Sequence, residues 1–205
     1  GSATLGASAG TTVGTSSSDI TVISDDVSAS GSMAFNTSGT LLIRPSTGHS
    51  FANTFNTSYL TYQGGVSGLT IGQSGNSGGV TVGSNTIIAG PITIYGGAIA
   101  INSPLVATNS TVKLTGSTIT DDAFAVLAGG LQRLSTLIAH NCPNIGRGAL
   151  AVLGKMCHAH VRNLRLGQCP QVNDEAIVWL AGQAGHHQPA CANIVHLDLR
   201  YVNNP

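Results

Sequence analysis

Short units with apolar first and last residues recur through the first half of the chain at nearly regular spacing. Each unit alternates with period two and is bounded by Gly, Asn, Ser or Pro, a pattern typical of short β-strands separated by turns. The main units start 20 to 28 residues apart. This repeat favours a parallel β-helix, in which each strand pairs with its counterpart one turn along the chain. The main units begin at Ile20, Leu41, Leu69, Ile92 and Val112, and additional units begin at Val80 and Ile99.

The composition agrees with regular β structure and argues against several functional classes. Charged residues make up 8% of the 205 residues, and the formal net charge is zero. An ordinary soluble domain has roughly 25% charged residues. There is no basic excess for nucleic acid and no apolar run of about 18 residues for a transmembrane helix. An antiparallel β-sandwich is the alternative fold, because it also uses short, regularly spaced strands.

The first half resembles a known class of exported proteins. Its closest likeness is in residues 69–117, through Leu69-Thr70-Ile71-Gly72, Gly90-Pro91-Ile92-Thr93, Tyr95-Gly96-Gly97 and Ile99–Ile101. These residues resemble the repeats of filamentous-haemagglutinin and autotransporter-like β-helix adhesins. The resemblance implies an exported, repetitive protein with a structural or adhesive role, and it implies no particular ligand.

Three rows of the second half superimpose without gaps at their apolar positions. The first and second rows are offset by 27 residues, and the second and third by 33. Apolar residues at positions one, four and six, followed by Cys or Val at position nine, form the pattern of a leucine-rich repeat. The rows are Leu134, Leu137, Ala139, Cys142; Val161, Leu164, Leu166, Cys169; and Ile194, Leu197, Leu199, Val202.

A helical segment is predicted near each of these rows. The segments after the first and second rows, from Ile145 to Leu153 and from Val172 to Leu180, superimpose at the same offset. Residues 121–127 show the same pattern. Polar residues suited to helix N-caps precede the segments, and glycines suited to helix C-termini follow them. The caps are Thr120 or Asp121 and Asn173 or Asp174, and the terminating glycines are Gly129, Gly154 and Gly182.

The Cys positions of residues 117–205 resemble the family of cysteine-containing leucine-rich repeats. In that family one Cys ends the strand and precedes Pro, as Cys142 and Cys169 do, and a second follows the helix, as Cys157 and Cys191 do. The resemblance implies equivalent structural positions for all four, which favours buried thiols. In an oxidising compartment a disulfide is the alternative, with Cys142 and Cys169 as neighbours in adjacent rows.

Metal binding and catalysis are both disfavoured by the sequence. His and Cys cluster in residues 157–160 and 186–191, but their spacing matches no established zinc signature. A polysaccharide-active enzyme would need two carboxylates across a cleft. Residues 121–122 and 174–175 are explained by helix capping, which leaves Asp19, Asp25 and Asp26 in the first half. We therefore expect no enzyme activity and no cofactor.

Two sets of surface residues are candidates for contact or modification. Arg and His project from equivalent positions of the repeat rows, so the concave face is a candidate surface for a protein or glycan partner. Asn-x-Ser/Thr motifs are candidate N-glycosylation sites if the chain is secreted by a eukaryote. The candidate interaction face comprises Arg133, His140, Arg162, Arg165, His196 and Arg200, and the motifs begin at Asn36, Asn56 and Asn109.

The predicted architecture is a solenoid in which a parallel β-helix continues into leucine-rich repeats. Residues 1–116 form the first part and residues 117–205 the second, and strand 112–114 belongs to both. The favoured function is a non-enzymatic structural or adhesive protein, extracellular or on the cell surface. It would assemble with copies of itself or with other surface proteins through its ends or faces. A recognition module is the alternative, intracellular if the repeats act as an adaptor.

Overall fold

The fold is composed mostly of β-strands with few helices. A computed structural model describes residues 11–14, 17–27, 32–63, 65–108, 110–116, 119, 136–140, 142–143, 145–156, 161–181 and 194–200. The strands are β1 (Thr11–Val13), β2 (Ile20–Ile23), β3 (Met33–Asn36), β4 (Thr40–Arg44), β5 (Phe55–Asn56), β6 (Leu60–Gln63), β7 (Gly68–Ile71), β8 (Val80–Val82), β9 (Thr86–Ile88), β10 (Ile92–Tyr95), β11 (Ile99–Ile101), β12 (Leu105–Ala107), β13 (Thr111–Thr115), β14 (Thr136–His140), β15 (Asn163–Arg165) and β16 (His196–Asp198).

The largest sheet has eight strands in the order β2-β4-β7-β10-β13-β14-β15-β16. Its strands follow one another along the chain, and each pair is parallel. The pairs coincide with the spacing of the sequence units, since Ile20 pairs with Leu41 and Leu69 pairs with Ile92. Strand pairs in the smaller sheets are parallel as well. The antiparallel sandwich is therefore wrong for the part of the chain that the structure describes.

Strand β13 lies at the meeting point of the two sequence patterns. Val112 pairs with Ile92 of β10 on one side and with Leu137 of β14 on the other. The eight-stranded sheet thus passes from residues of the first half to residues of the second through β13. The division into two domains at residues 116 and 117 stays a prediction.

The other described strands pair in three smaller sheets. They have the orders β1-β3-β6, β5-β8-β11 and β9-β12. The intervening turns are closed by hydrogen bonds between successive segments, such as the one from the Gly97 amide to the Gly78 carbonyl at 3.0 Å. Buried apolar side chains from these sheets and from the eight-stranded sheet belong to one cluster.

The core consists of apolar rows that run across the strands. On the eight-stranded sheet, alternate residues point inward, and the two central inward rows are at most 1% exposed. Burying each Leu or Ile side chain contributes about 1.5–3 kcal/mol. The rows are Leu41, Leu69, Ile92, Val112, Leu137, Leu164 and Ile43, Ile71, Ile94, Leu114, Ala139.

The aromatic residues after β4 pack into this core. Phe51 and Phe55 are buried and stacked, with ring centroids 5.2 Å apart. Tyr59, in a short 3₁₀ helix at Thr57–Tyr59, and Tyr62 pack against the same cluster. The longer sequence interval between β4 and β7 therefore fills the interior instead of forming an aromatic surface patch.

In the described part of the second half, two helices follow strands. Helix α1 spans Arg147–Met156 and helix α2 spans Asp174–Leu180. Asn173 caps α2, accepting a hydrogen bond from the Ala176 amide at 3.0 Å, as the sequence predicts. The predicted helix at 121–127 and its cap lie outside the described residues.

Gly154 differs from its predicted role as a helix terminus. It lies inside α1 and is buried. A Cβ atom there would lie 2.6 Å from the Trp179 carbonyl oxygen and 2.8 Å from that of Leu180. Glycine is thus required because the C-terminal end of α2 approaches closely. Gly129 and Gly182, the other predicted terminators, lie outside the described residues.

Candidate binding groove

The outer face of the eight-stranded sheet changes in character along its length. One outward row carries Thr70 and Thr93 on β7 and β10, and then Lys113, Ile138 and Arg165 on β13, β14 and β15. Asp198 follows on β16, beside Arg165. Charged side chains of this row therefore lie on β13, β15 and β16, from the strand where the two halves of the sequence meet to the last described strand of the sheet.

A second outward row runs parallel to the first, two residues further along the strands. Thr115 lies in register between Tyr95 and His140. Gly167 comes next to His140, and a Cβ there would lie 2.8 Å from His140 Nδ1. The absence of a side chain at Gly167 thus leaves room for the imidazole ring.

The two rows line a concave groove of about 530 Å³. It extends over strands β10, β13, β14, β15 and β16 and is open to solvent along the face of the sheet. Its walls combine cations, hydroxyl groups and one aliphatic side chain. The lining residues are Ser74, Tyr95, Lys113, Thr115, Ile138, His140, Arg165, Gly167, Asp198 and Arg200.

Positive charge predominates in the groove. Lys113 Nζ lies 5.4 Å from the centre of the Tyr95 ring, a cation–π distance. Asp198 forms a paired contact with Arg200, with Nη2 to Oδ2 at 2.7 Å and Nε to Oδ1 at 2.9 Å. These hydrogen bonds lower the pKa of Asp198 to about 2, and the nearby charge of Arg165 acts in the same direction. One carboxylate therefore faces three cations: Lys113, Arg165 and Arg200.

The groove also contains an unsatisfied hydroxyl group. Thr115 Oγ1 is buried and has no hydrogen-bond partner among the described residues. A buried polar atom without a partner costs about 1–3 kcal/mol.

The residues of the predicted interaction face separate into three groups. His140, Arg165 and Arg200 line the groove. Arg162 is exposed but does not line it, and His196 lies on β16 beside a second concavity. Arg133 lies outside the described residues. The prediction left out Lys113 and Tyr95, although the register of residue 112 with residue 137 would have extended the face to them.

At β16, the last described strand of the sheet, the apolar row that is buried on the preceding strands becomes exposed. Leu197 pairs with Leu164, which is fully buried, yet Leu197 itself is 42% exposed. Val195 beside it is 81% exposed. A concavity of about 510 Å³ is lined by residues 196–200. Within the described part of the chain no strand lies beyond β16, so its apolar row ends at the surface.

The thiols of Cys142 and Cys169 are neighbours in the core. Both are free and buried. A hydrogen bond with the Cys169 thiol, together with burial, raises the pKa of Cys142. Each sulfur also points at a main-chain carbonyl two residues before it, His140 and Gly167, at 3.4 Å and 3.6 Å. Cys157 and Cys191 lie outside the described residues.

The candidate glycosylation motifs have different surroundings. Asn36 and Asn56 are half-buried, whereas Asn109 lies outside the described residues. Asn56 Oδ1 accepts a hydrogen bond from the Ser58 amide at 2.9 Å. The side chain also packs beside Gly83, where a Cβ would lie 2.4 Å from Asn56 Oδ1. Asn56 therefore has a structural role at the start of the 3₁₀ helix.

Asp25 forms a contact that the sequence does not predict. Its carboxylate accepts a hydrogen bond from the Ser46 amide at 2.7 Å and lies 2.8 Å from His49 Nδ1. The Ser46 amide, and then His49, lower the pKa of Asp25. This arrangement joins the turn after β2 to the turn after β4. Ser46 and His49 lie 21 and 24 residues from Asp25 in the sequence. No local sequence pattern therefore indicates this contact.

Comparisons with known proteins leave the function open. No protein-family model, curated protein or solved structure matches the chain. The described residues include no group of three His, Cys, Asp or Glu side chains arranged to hold a metal ion. None of the helices described has the length and apolar character needed to cross a membrane.

Proposed function

We propose that the chain is a solenoid in which a parallel β-helix continues into leucine-rich repeats. Consecutive strands of the eight-stranded sheet pair in parallel with offsets of 20 residues between β10 and β13 and 33 residues between β15 and β16. Helices α1 and α2 follow β14 and β15, as in a strand–helix repeat. Cys142 and Cys169 hold equivalent places after these strands, in keeping with the cysteine-containing repeat family.

The proposed function is that of a non-enzymatic structural protein that stacks end to end. The exposed Leu197 carries this proposal, because its row partners Leu137 and Leu164 are fully buried. A strand from a second copy would cover Leu197 and pair with the edge of β16 on which no strand lies within the described residues. At the opposite end, Ile20 and Val22 of β2 are also incompletely buried. Joining β16 of one copy to β2 of the next makes a head-to-tail contact, which propagates into filaments.

An extracellular or cell-surface location fits this function. The chain is poor in charge, with 8% charged residues, and its first half resembles exported adhesins. An assembled solenoid would present its outer faces along the whole filament. Adhesion to other surface proteins would then occur through those repeated faces.

Substitutions at the two ends test the stacking. We expect the wild-type protein to form larger species as its concentration rises, measured by sedimentation velocity. Leu197→Lys removes one end of the contact and Val22→Lys removes the other, so each variant should sediment as a monomer. Mixing the two variants should restore a dimer, because each retains the end that the other lacks.

A matched substitution away from the ends serves as the control. Ile87 is 57% exposed on β9, and Ile87→Lys should leave assembly unchanged. Circular dichroism should show the same fold in every variant. Wild-type protein that stays monomeric at all concentrations would overturn the stacking proposal, as would an equal loss of assembly in Ile87→Lys.

The groove supports recognition as a second candidate function. It lies on the outward face of the repeat strands, and it joins residues of both halves, Tyr95 and Lys113 with His140 and Arg165. A partner bound there would contact side chains from five strands. Stacking and recognition are compatible, since the groove lies on a face and the stacking contact lies at the ends.

A further inference from the structure

We propose that the groove on the eight-stranded sheet binds an anionic polysaccharide, and that Lys113 and Arg165 bind its acidic groups. This inference rests on the second candidate function, recognition by the sheet face. It is carried by the shape of the groove, by the position of its cations and by the predominance of hydrogen-bond donors in its walls.

The shape of the groove suits an extended chain that crosses the strands. The lining residues run from β10 to β16, five adjacent strands of the sheet. Neighbouring strands are about 4.8 Å apart, so the groove is roughly 19 Å long perpendicular to the strands. A volume of about 530 Å³ over that length holds several units of a polymer.

The cations are spaced along this direction. Lys113 and Arg165 occupy the same outward row, with Ile138 of β14 between them. Two strand spacings place their backbones roughly 10 Å apart. The favoured ligand is therefore an extended polymer whose acidic groups can contact cations on two alternate strands, as in a polysaccharide built from acidic sugars.

The hydrogen-bonding character of the groove favours a sugar polymer over an acidic peptide. Lysine and arginine side chains are donors without acceptor capacity. The one carboxylate, Asp198, already accepts hydrogen bonds from Arg200. Backbone groups of the sheet are used in strand pairing. A bound peptide would add one amide donor per residue, whereas only the hydroxyl groups, the imidazole and Asp198 among the lining side chains can accept. Carboxylate, sulfate and hydroxyl oxygens would instead meet donors.

Titration of the full chain with defined polymers tests the proposal. The probes are polygalacturonate, dextran sulfate, neutral dextran and polyglutamate, with binding followed by calorimetry. We expect binding to polygalacturonate, to dextran sulfate or to both, and none to neutral dextran. Binding of one but not the other assigns the acidic group as carboxylate or sulfate ester. Added salt should weaken the interaction, because exposed charges are screened.

Two groove variants and one matched control complete the experiment. Arg165→Gln and Lys113→Gln should each weaken binding about tenfold, the loss expected for one hydrogen bond to a charged group. Arg162→Gln removes an exposed arginine that does not line the groove, and it should retain the wild-type affinity. Ile138→Asp should also abolish binding while it retains every cation.

Three results would overturn the inference. These are binding to none of the anionic polysaccharides, an equal loss in Arg162→Gln, and polyglutamate binding in their place. In the last case, weakening by Arg165→Gln would leave recognition by the sheet face standing and reject the polysaccharide. End-to-end stacking is measured separately, so none of these results bears on it.

Discussion

At the scale of single residues, Asn76 shows how one buried amide holds successive segments together. Its Oδ1 accepts hydrogen bonds from the amides of Phe51 at 3.0 Å and Gly78 at 3.1 Å. Its Nδ2 donates to the Tyr95 carbonyl at 2.8 Å. Three segments that are distant in sequence thus share one side chain, and Tyr95 is positioned next to the groove.

Replacing Asn76 should therefore be costly. Asn76→Ala leaves the Phe51 amide and the Tyr95 carbonyl without this partner, and we expect the free energy of unfolding to fall by about 3 kcal/mol. Urea unfolding followed by circular dichroism measures the change. Asn85→Ala is the matched control, because Asn85 is exposed, and it should change stability by less than about 0.5 kcal/mol. Equal effects of the two substitutions would contradict this role.

The role of a residue could be predicted where it occupies a repeated position of the sequence pattern. It could not be predicted where it depends on contacts with residues that are distant in the sequence. His140 and Arg165 occupy repeated row positions, so the sequence could place them on one face. Asn76 has no repeated counterpart that marks it, because its partners lie 25 and 19 residues away. The same reason explains why the contact between Asp25 and His49 was not predicted.

At the scale of elements, the strand registers and the start of α2 could be predicted, but the end of α1 could not. Inward apolar residues recur at each strand, and an error of one residue would turn every side chain to the other face. The pairing of Leu69 with Ile92 and of Leu137 with Leu164 was therefore visible in the sequence. Gly154 was misassigned because a packing glycine and a terminating glycine look alike until the neighbouring helix is placed.

The contact between the turns after β2 and β4 predicts how the stability of the fold depends on pH. Asp25 has a lowered pKa in the folded state, so its contribution to stability is present above its ordinary pKa of about 4 and is lost as the pH falls. Stability of the wild-type protein should drop between about pH 5 and pH 2. Asp25→Asn should be less stable at pH 7 and should show a smaller drop.

Urea unfolding at pH 7 and pH 3 measures this difference. Asp174→Asn is the control, since it removes an exposed carboxylate in the first turn of α2. The control should lose stability on acidification as the wild type does. An Asp25→Asn variant with the full wild-type drop would show that Asp25 does not contribute to the acid sensitivity.

At the scale of the whole molecule, the account depends on one parallel sheet that runs through both halves of the sequence. The stacking proposal uses the ends of this sheet, and the groove uses its face where β10, β13 and β14 meet. A hinge at β13 would separate Lys113 from Arg165 and remove the spacing on which the groove depends. The continuity of the sheet is therefore the central claim.

The distance between Thr21 and Arg165 tests this claim most directly. Both side chains are exposed and lie in the same outward row, on β2 and β15, six strand spacings apart. With genetically encoded spin labels at these positions, pulsed electron–electron double resonance should give one narrow distribution near roughly 29 Å, six spacings of about 4.8 Å. A broad distribution, or a mean far from this value, would contradict a continuous sheet.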